Sequence, residues 1–460
     1  MRGHHHVRMP AVTAALCFVA LAVLLAAPAL SLAAVPPQGE AVWNSLPSGL
    51  SLILGAERYI GTCKGPSGSV YVVGSEPGPP RAVVVSRVRV ASGTDLGGWS
   101  YPSTGLGFRP RAVASDARRD LYVTGERDGG DWLTVKFSAA GGILWKQPYA
   151  SGAGSGYHPD AIALDRAGNV VVSGTVAGPG GYDAVIVKYS SKGALKWKRT
   201  LSTKGRDRLA AIDFDEADNV YLSGSKRDAG ATPGIGIVRS YAPGGRFRWE
   251  RALGLVGKST QFQQIRVKGT TVTVAGTAGS ASGARLIAAR YRTNSVGTKV
   301  WGLRWITGYP GGSWVGGLAV DGGGNAVISG VAYDLGSSAL DTPLVWKLKG
   351  SSGVTLWTTE FANPAWPHDG RFDSVALDSS GRVYAGGDVH VTGSTASCLL
   401  VRFSAGGVAQ GMWRSDGPAS GTCTFDQVLV LSDTTVLAGG LVTGGSGPLA
   451  AIYRANTTLP

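Results

Sequence analysis

This sequence has little charge, few cysteines and almost no histidine, and each shortage excludes something. Charged residues make up 16% of the 460 and apolar residues 43%, a balance too apolar for general disorder. The four cysteines are Cys17, Cys63, Cys398 and Cys423. They show no Cys-x-x-Cys spacing and no Cys/His cluster, which argues against a zinc site. Only His158, His368 and His390 lie beyond the first 34 residues. No nucleophile elbow, metal-ligand cluster or phosphate loop is present. "GSGPLA" and similar strings are loose glycine loops, not a dinucleotide fingerprint. Beyond residue 34 no apolar run is long enough to cross a membrane. Glycine is abundant, at 70 residues, but its spacing lacks the every-third-residue period of collagen.

Residues 1–34 read as a secretory signal. Arg2 and Arg8 supply a positive front, "AVTAALCFVALAVLLAA" the apolar middle, and small residues follow near Ala33 and Ala34. An uncleaved membrane anchor is the alternative. His4, His5 and His6 read as incidental, and Cys17 lacks lipobox surroundings. The expected location is therefore secreted or cell-surface. Removing the leader lowers the formal charge from +14 to +12 for residues 35–460. This favours contact with an anionic cell envelope or polysaccharide. The one dense basic cluster, residues 188–208, reads as a solvated strand, and no nucleic-acid partner is expected.

A period of about fifty residues governs the rest. Short apolar runs end at Gly74, Gly125, Gly174, Gly224, Gly276, Gly330, Gly387 and Gly440. A tryptophan closes each unit: Trp99, Trp145, Trp197, Trp249, Trp301, Trp357 and Trp413. Each unit divides into four short β-branched runs, as in "AIALD", "NVVVSG", "AVIVKYS" and the strand carrying the Trp. Four-stranded units at this period predict an all-β β-propeller. Eight blades are expected, with seven as the alternative. "AVWNSL" (41–46) reads as a fourth strand without its first three, and the last unit as three strands without a fourth. An N-terminal strand completing the last blade would close the ring. The expected domains are a signal peptide, 1–34, and a propeller, 35–460, as a monomer.

The elements "IALDRAGNVVVSG" (162–174), "AIDFDEADNVYLSG" (211–224), "LAVDGGGNAVISG" (318–330) and "VALDSSGRVYAGG" (375–387) resemble the bacterial β-propeller repeat family called SBBP repeats. The resemblance covers nearly all of residues 41–456. It implies an exported or surface protein with a binding or structural role. The regular "G-x-x-x-W" ending is similar, more weakly, to quinoprotein-like eight-bladed propellers. That similarity implies tryptophans that dock neighbouring blades.

Asp116, Asp165, Asp215, Asp321 and Asp378 share one position before the first turn of their units, and read as turn caps. A calcium role falls short of the oxygens needed, and neither metal nor cofactor is expected. Asp160, Asp373 and Asp426 share another position, where they pin innermost strands or line the channel mouth; pinning is the favoured reading. The long two-to-three and four-to-one loops vary between units and should share one face, where function usually sits. They carry Tyr157, His158, Tyr309, Trp314, Trp366, His368 and Asp369, the expected binding residues for a polysaccharide, peptide or protein partner. Any single one of these could instead plug a loop onto a blade top. His368 with Asp369 or Asp373 is the conceivable acid–base pair, but no catalytic residue is assigned and the chain is read as no enzyme. A propeller enzyme, quinoprotein-like or lyase-like, and a purely structural surface protein are the alternatives. Cys398 and Cys423 are expected to pair, with Cys63–Cys423 as the rival bridge.

Overall fold

The computed structural model describes residues 30–32, 41–43 and 58–454, apart from 76–81, 93, 103–106, 151–156, 204, 229–232, 281–282, 306–311, 334–340, 362–369, 391–395, 416–421 and 443–446. Among the described residues every regular element is a β-strand. Most connections between neighbouring strands are antiparallel, and within a blade strands follow one another in chain order.

Five runs of four consecutive strands stand as separate blades. Blade A is Arg58–Lys64, Ser69–Ser75, Ala82–Arg89 and Asp95–Pro102. Blade B is Phe108–Ser115, Leu121–Arg127, Trp132–Phe137 and Ile143–Tyr149. Blade C is Pro159–Leu164, Val170–Gly178, Gly181–Tyr189 and Leu195–Leu201. Blade D is Arg208–Phe214, Val220–Lys226, Ile235–Tyr241 and Phe247–Leu253. Blade E is Gly370–Leu377, Val383–His390, Ala396–Phe403 and Ala409–Ser415.

The expectation of eight four-stranded blades, or seven, is corrected by the strand pairing. Residues 259–360 form one fused sheet rather than two blades, and Leu30–Leu32 extends it to nine strands by running parallel to Thr355–Glu360. The fusion point is a parallel bridge between Ala284 and Gly312. Gly312 has φ +113°, and a Cβ there would sit 2.5 Å from the Ala284 carbonyl oxygen. Only glycine permits that approach, so the backbone ladder continues where a radial gap would otherwise separate two blades. The remaining sheet joins Cys423–Ser432, Thr435–Val442 and Gly447–Arg454 to Ala41–Trp43, which pairs antiparallel with Gly447–Arg454.

The first strand of each sequence unit packs against the first strand of the next, from Arg58–Lys64 round to Cys423–Ser432, which returns to Arg58–Lys64. The core lies between sheets, not within one. Second and third strands are buried almost throughout, as in Ser69–Ser75 and Ala396–Phe403. Their Val, Ile and Leu side chains reach both faces of the sheet and meet those of the neighbouring blades. Outer strands alternate, with Leu195–Leu201 burying only Trp197 and Leu201.

One joint recurs between neighbours. The Trp197 indole N–H donates to the Pro243 carbonyl at 2.9 Å, and Trp145, Trp249 and Trp301 make the same bond to Ser191, Asn294 and Gly350. A glycine lies against each of these rings. Gly141, Gly193, Gly245, Gly297, Gly353 and Gly407 all have positive φ, and a Cβ on any of them would fall within 3 Å of the preceding unit's indole. The "G-x-x-x-W" pattern is thus the socket of one unit followed by its own plug for the next.

The repeated Asp closes its own turn. Asp165 accepts from the Asn169 backbone at 2.8 Å, Asp215 from Asn219 at 2.9 Å and Asp321 from Asn325 at 2.8 Å. A buried cation from the third strand completes two of these sites, with Lys188 2.8 Å from Asp165 and Lys347 2.9 Å from Asp321. The turns need a left-handed residue three positions on, and Gly168, Gly324 and Gly381 supply it. Arg119 and Asp218 occupy the same position with φ 67° and 58°. Cys398 and Cys423 form a disulfide between blade E and the closing sheet. Cys63 is free, half-buried on the innermost strand of blade A, and burial pushes its thiol up to about 12.

Candidate functional site

The repeated glycine at the end of each second strand has a structural partner. Opposite it, the innermost strand carries one residue too many. Pro110 pairs with Gly125 and Ala112 with Thr124, so Arg111 is extra; the same shift isolates Asp160 opposite Gly174 and Asp373 opposite Gly387. Ala210 and Gln263 stand out in the same way. A Cβ on Gly125 would lie 2.1 Å from the Arg109 carbonyl oxygen, and on Gly224 1.9 Å from that of Arg208. The glycine therefore admits a β-bulge, and the bulge re-aims one side chain per unit.

Those side chains meet their neighbours. Asp160 receives the Arg208 guanidinium at 2.7 Å from the next blade, and its side chain is 2% exposed. His158 Nδ1 lies 3.4 Å from the same carboxylate. Arg111 and Arg109 both reach Glu126, at 2.9 and 3.2 Å. Asp373 accepts from Arg371 at 2.9 Å and from the Thr424 hydroxyl of the closing sheet at 3.3 Å. Asp160 and Asp373 thus tie adjacent units together. Asp426 reaches solvent but lies in a crowded recess; desolvation first, then the nearby Asp373 charge, push its carboxyl up to about 7.

The bulged ends of the first strands, the ends of the second and the starts of the third share one face, the face of the long loops. A recess of about 450 Å³ opens there between blades C and D and the fused sheet. Trp314, 46% exposed, forms one wall. Tyr182, Arg206, Lys226, Arg227 and Gln261 contribute others. Arg206 lies over the Tyr182 ring, 6.0 Å from its centroid. Lys226 is held by Glu250 at 2.7 Å, and Glu250 is also engaged by Arg239 at 2.9 Å. Among the described residues the lining contains no carboxylate.

A larger recess, about 820 Å³, lies on the opposite face between blades B and C. Part of its charge is already matched: Lys136 sits 3.4 and 3.0 Å from Asp116 and Asp120, and Asp165 is paired with Lys188. It is built from turn caps, which explains its polarity without a ligand. Among the described residues no group of three or more metal-ligating side chains comes together.

Of the expected binding residues, Trp314 lines the recess, but from within the strand Gly312–Val320 rather than from a loop. The Tyr157 hydroxyl donates to the Gly181 carbonyl at 3.2 Å, anchoring its loop to the top of blade C. His158 belongs to the Asp160 group. Tyr309, Trp366, His368 and Asp369 lie outside the described residues. Tyr182, Arg206 and Arg227 were not singled out from the sequence. The available signal was the position of Arg206 and Arg227 just outside strands of one unit, beside loops of irregular length.

No known family model matches the chain, and no curated protein matches it in sequence. Solved structures share the fold. The yeast Saccharomyces cerevisiae Sqt1 aligns over 92% of this chain and 99% of its own, with 9% identity and a TM-score of 0.56. The quinohemoprotein alcohol dehydrogenase ADHIIG of Pseudomonas putida HK5 aligns over 92% of this chain and 78% of its own, with 11% identity and a TM-score of 0.54. Sqt1 of Chaetomium thermophilum, solved bound to the N-terminus of ribosomal protein L10, aligns over 87% and 100%, with 10% identity and a TM-score of 0.51. At these identities the likeness is one of fold, a β-propeller shared by an oxidoreductase and a peptide-binding protein.

Proposed function

We propose that this chain is an exported binding propeller, without catalysis of its own, that holds a polymeric ligand on its long-loop face. The observation that carries the reading is the recess of about 450 Å³ walled by the exposed indole of Trp314. By contrast, Trp197 is spent on a joint between units and Trp132 is buried in the core. An indole left nearly half in solvent beside convergent polar groups is the pattern of a binding surface, where one aromatic anchor carries much of the affinity. Binding rather than chemistry is favoured because Asp160 and Asp373, the acids at the bulges of their innermost strands, are each engaged by an arginine. The positively charged, apolar-cored start of the sequence supports export to a place where envelope polymers are met. The peptide-bound Sqt1 keeps a protein partner among the occupants to be tested.

The test is a binding screen of the full chain against cell-envelope glycans and peptides, repeated with Trp314→Ala. Loss of an aromatic anchor costs upwards of about 1–2 kcal/mol, so affinity should fall on the order of tenfold. Unchanged affinity for every bound ligand would remove the recess from the binding surface.

A further inference from the structure

The two arginines of the recess are placed by the fold and matched by no acid. Arg206 N–H donates to the Arg227 carbonyl at 3.2 Å. Asp207, fully buried, accepts from the Arg227 amide at 3.3 Å and from the Thr203 amide at 2.7 Å. One carboxylate thus fixes the backbone of both arginine-bearing segments without reaching either guanidinium, and desolvation raises its own pKa. Gly205 permits the contact, since a Cβ there would fall 1.7 Å from the Arg227 carbonyl oxygen. A parallel bridge between Tyr182 and Arg206 registers this loop on blade C. Neither guanidinium has an ion-pair partner among the described residues, in contrast to Lys226 with Glu250.

Resting on the binding reading above, we propose that the occupant is an acidic polysaccharide, with one sugar face on Trp314 and its carboxylate read by Arg206 and Arg227. A planar guanidinium takes a carboxylate through two parallel hydrogen bonds, and Arg206 is already stacked on the Tyr182 ring. Ser225, Ser259, Thr260 and Thr277 ring the recess with hydroxyls, of which Thr260 and Thr277 already donate to the Lys258 carbonyl and to Gln263 Oε1, and Gln261 adds an amide that can donate and accept. Sugar hydroxyls need such two-way partners. A volume of about 450 Å³ lies within the range of small-ligand sites, roughly 300–1,000 Å³, and suits a short stretch of a chain passing over the surface. An extended acidic peptide would instead call for a free strand edge; Ser259–Lys268 is an edge strand and lends Ser259, Thr260 and Gln261 to this recess, but its Thr260 amide already donates to the Gly234 carbonyl at 2.9 Å.

The test is calorimetric titration of the full chain with three probes: an oligogalacturonate, its methyl ester, and a poly-glutamate peptide. The acid sugar should bind at least tenfold more tightly than its ester, and more weakly as salt rises. Arg206→Gln and Arg227→Gln should each erase most of that difference, with unchanged circular dichroism, while affinity for the ester holds. Arg206→Lys should recover only part of it, because an ammonium cannot bind in two places. Equal binding of acid and ester, or arginine variants that bind the acid sugar normally, overturns the acidic reading. If Trp314→Ala still weakens ester binding, the binding face survives that failure. Poly-glutamate binding as tightly as the sugar also overturns the proposal. Absence of binding to all three probes overturns both readings.

Discussion

Replacing Gly245 by alanine isolates the joint that holds neighbouring units together. Gly245 has φ +84°, and an added Cβ would lie 2.7 Å from Trp197 Cγ and 2.8 Å from Cδ2. Two costs follow. An alanine in the left-handed region costs roughly 1–2 kcal/mol. Forcing a methyl into a packed ring costs about 1–3 kcal/mol more. The sum is about 2–5 kcal/mol. Trp197 cannot retreat freely, because its indole N–H is bonded to Pro243 at 2.9 Å and the residue is 7% exposed. Urea unfolding followed by fluorescence and far-ultraviolet dichroism would measure the loss. Coincidence of the two probes also establishes whether one transition describes the ring. The decisive comparison repeats the substitution in a Trp197→Leu background. There the ring is gone, and only the backbone cost of about 1–2 kcal/mol should remain. A Gly245→Ala effect below about 0.5 kcal/mol, or one that is the same in both backgrounds, would refute the plug-and-socket account.

Three further outcomes follow from other residues. Lys188→Met should destabilise by about 3–5 kcal/mol in chemical denaturation, because it leaves the Asp165 carboxylate buried without its cation. Burial alone would raise Asp165, but the Lys188 and Asn169 hydrogen bonds hold it below the usual carboxylate range, so this contribution should disappear as pH falls through that lowered value. Arg119→Gly should stabilise by about 0.5–1 kcal/mol, since Arg119 sits at φ 67° where Gly168 and Gly324 occur in other units; an unchanged urea midpoint would contradict this. The Asp426 carboxyl should titrate near 7 in carbon-detected magnetic resonance, and Asp373→Asn should move it down, though burial, the larger cause, remains. Because its folded pKa exceeds the ordinary value of about 3.9, the stability it contributes is present in acid and is lost as pH rises toward 7.

Much of the fold was legible because it repeats. Gly174 and Gly224 announced a period, and Trp197 and Trp249 its outer strands. What the glycines do was not legible, since Gly224 is required by a carbonyl of Arg208, on a strand whose pairing had first to be known. The blade count failed for a related reason. The unit containing Gly312 looks like any other in sequence, yet its backbone meets Ala284 sideways and merges two units into one sheet. Hydrophobic period specifies which face of a strand is buried, but says nothing about which sheet edge another strand will join. The site was half legible. Trp314 was visible as an aromatic in what read as an irregular loop, whereas Tyr182, Arg206 and Arg227 belong to other units and converge on it only after the ring closes. Asp160 and Asp373 were recognised as equivalent, and the favoured reading as strand-pinning acids agrees with the bonds each makes to the next unit.

The tryptophan–glycine joint has an evolutionary reading. Six glycines, Gly141, Gly193, Gly245, Gly297, Gly353 and Gly407, each receive the preceding unit's indole, so these boundaries share one joint. A duplicated or deleted fifty-residue segment would leave no orphaned half-joint, only a ring of different circumference. Selection could therefore vary the number of units with little local penalty, while loops such as the one bearing Arg206 diverge independently. On that view the family of such chains should differ more in repeat number than in the joint itself.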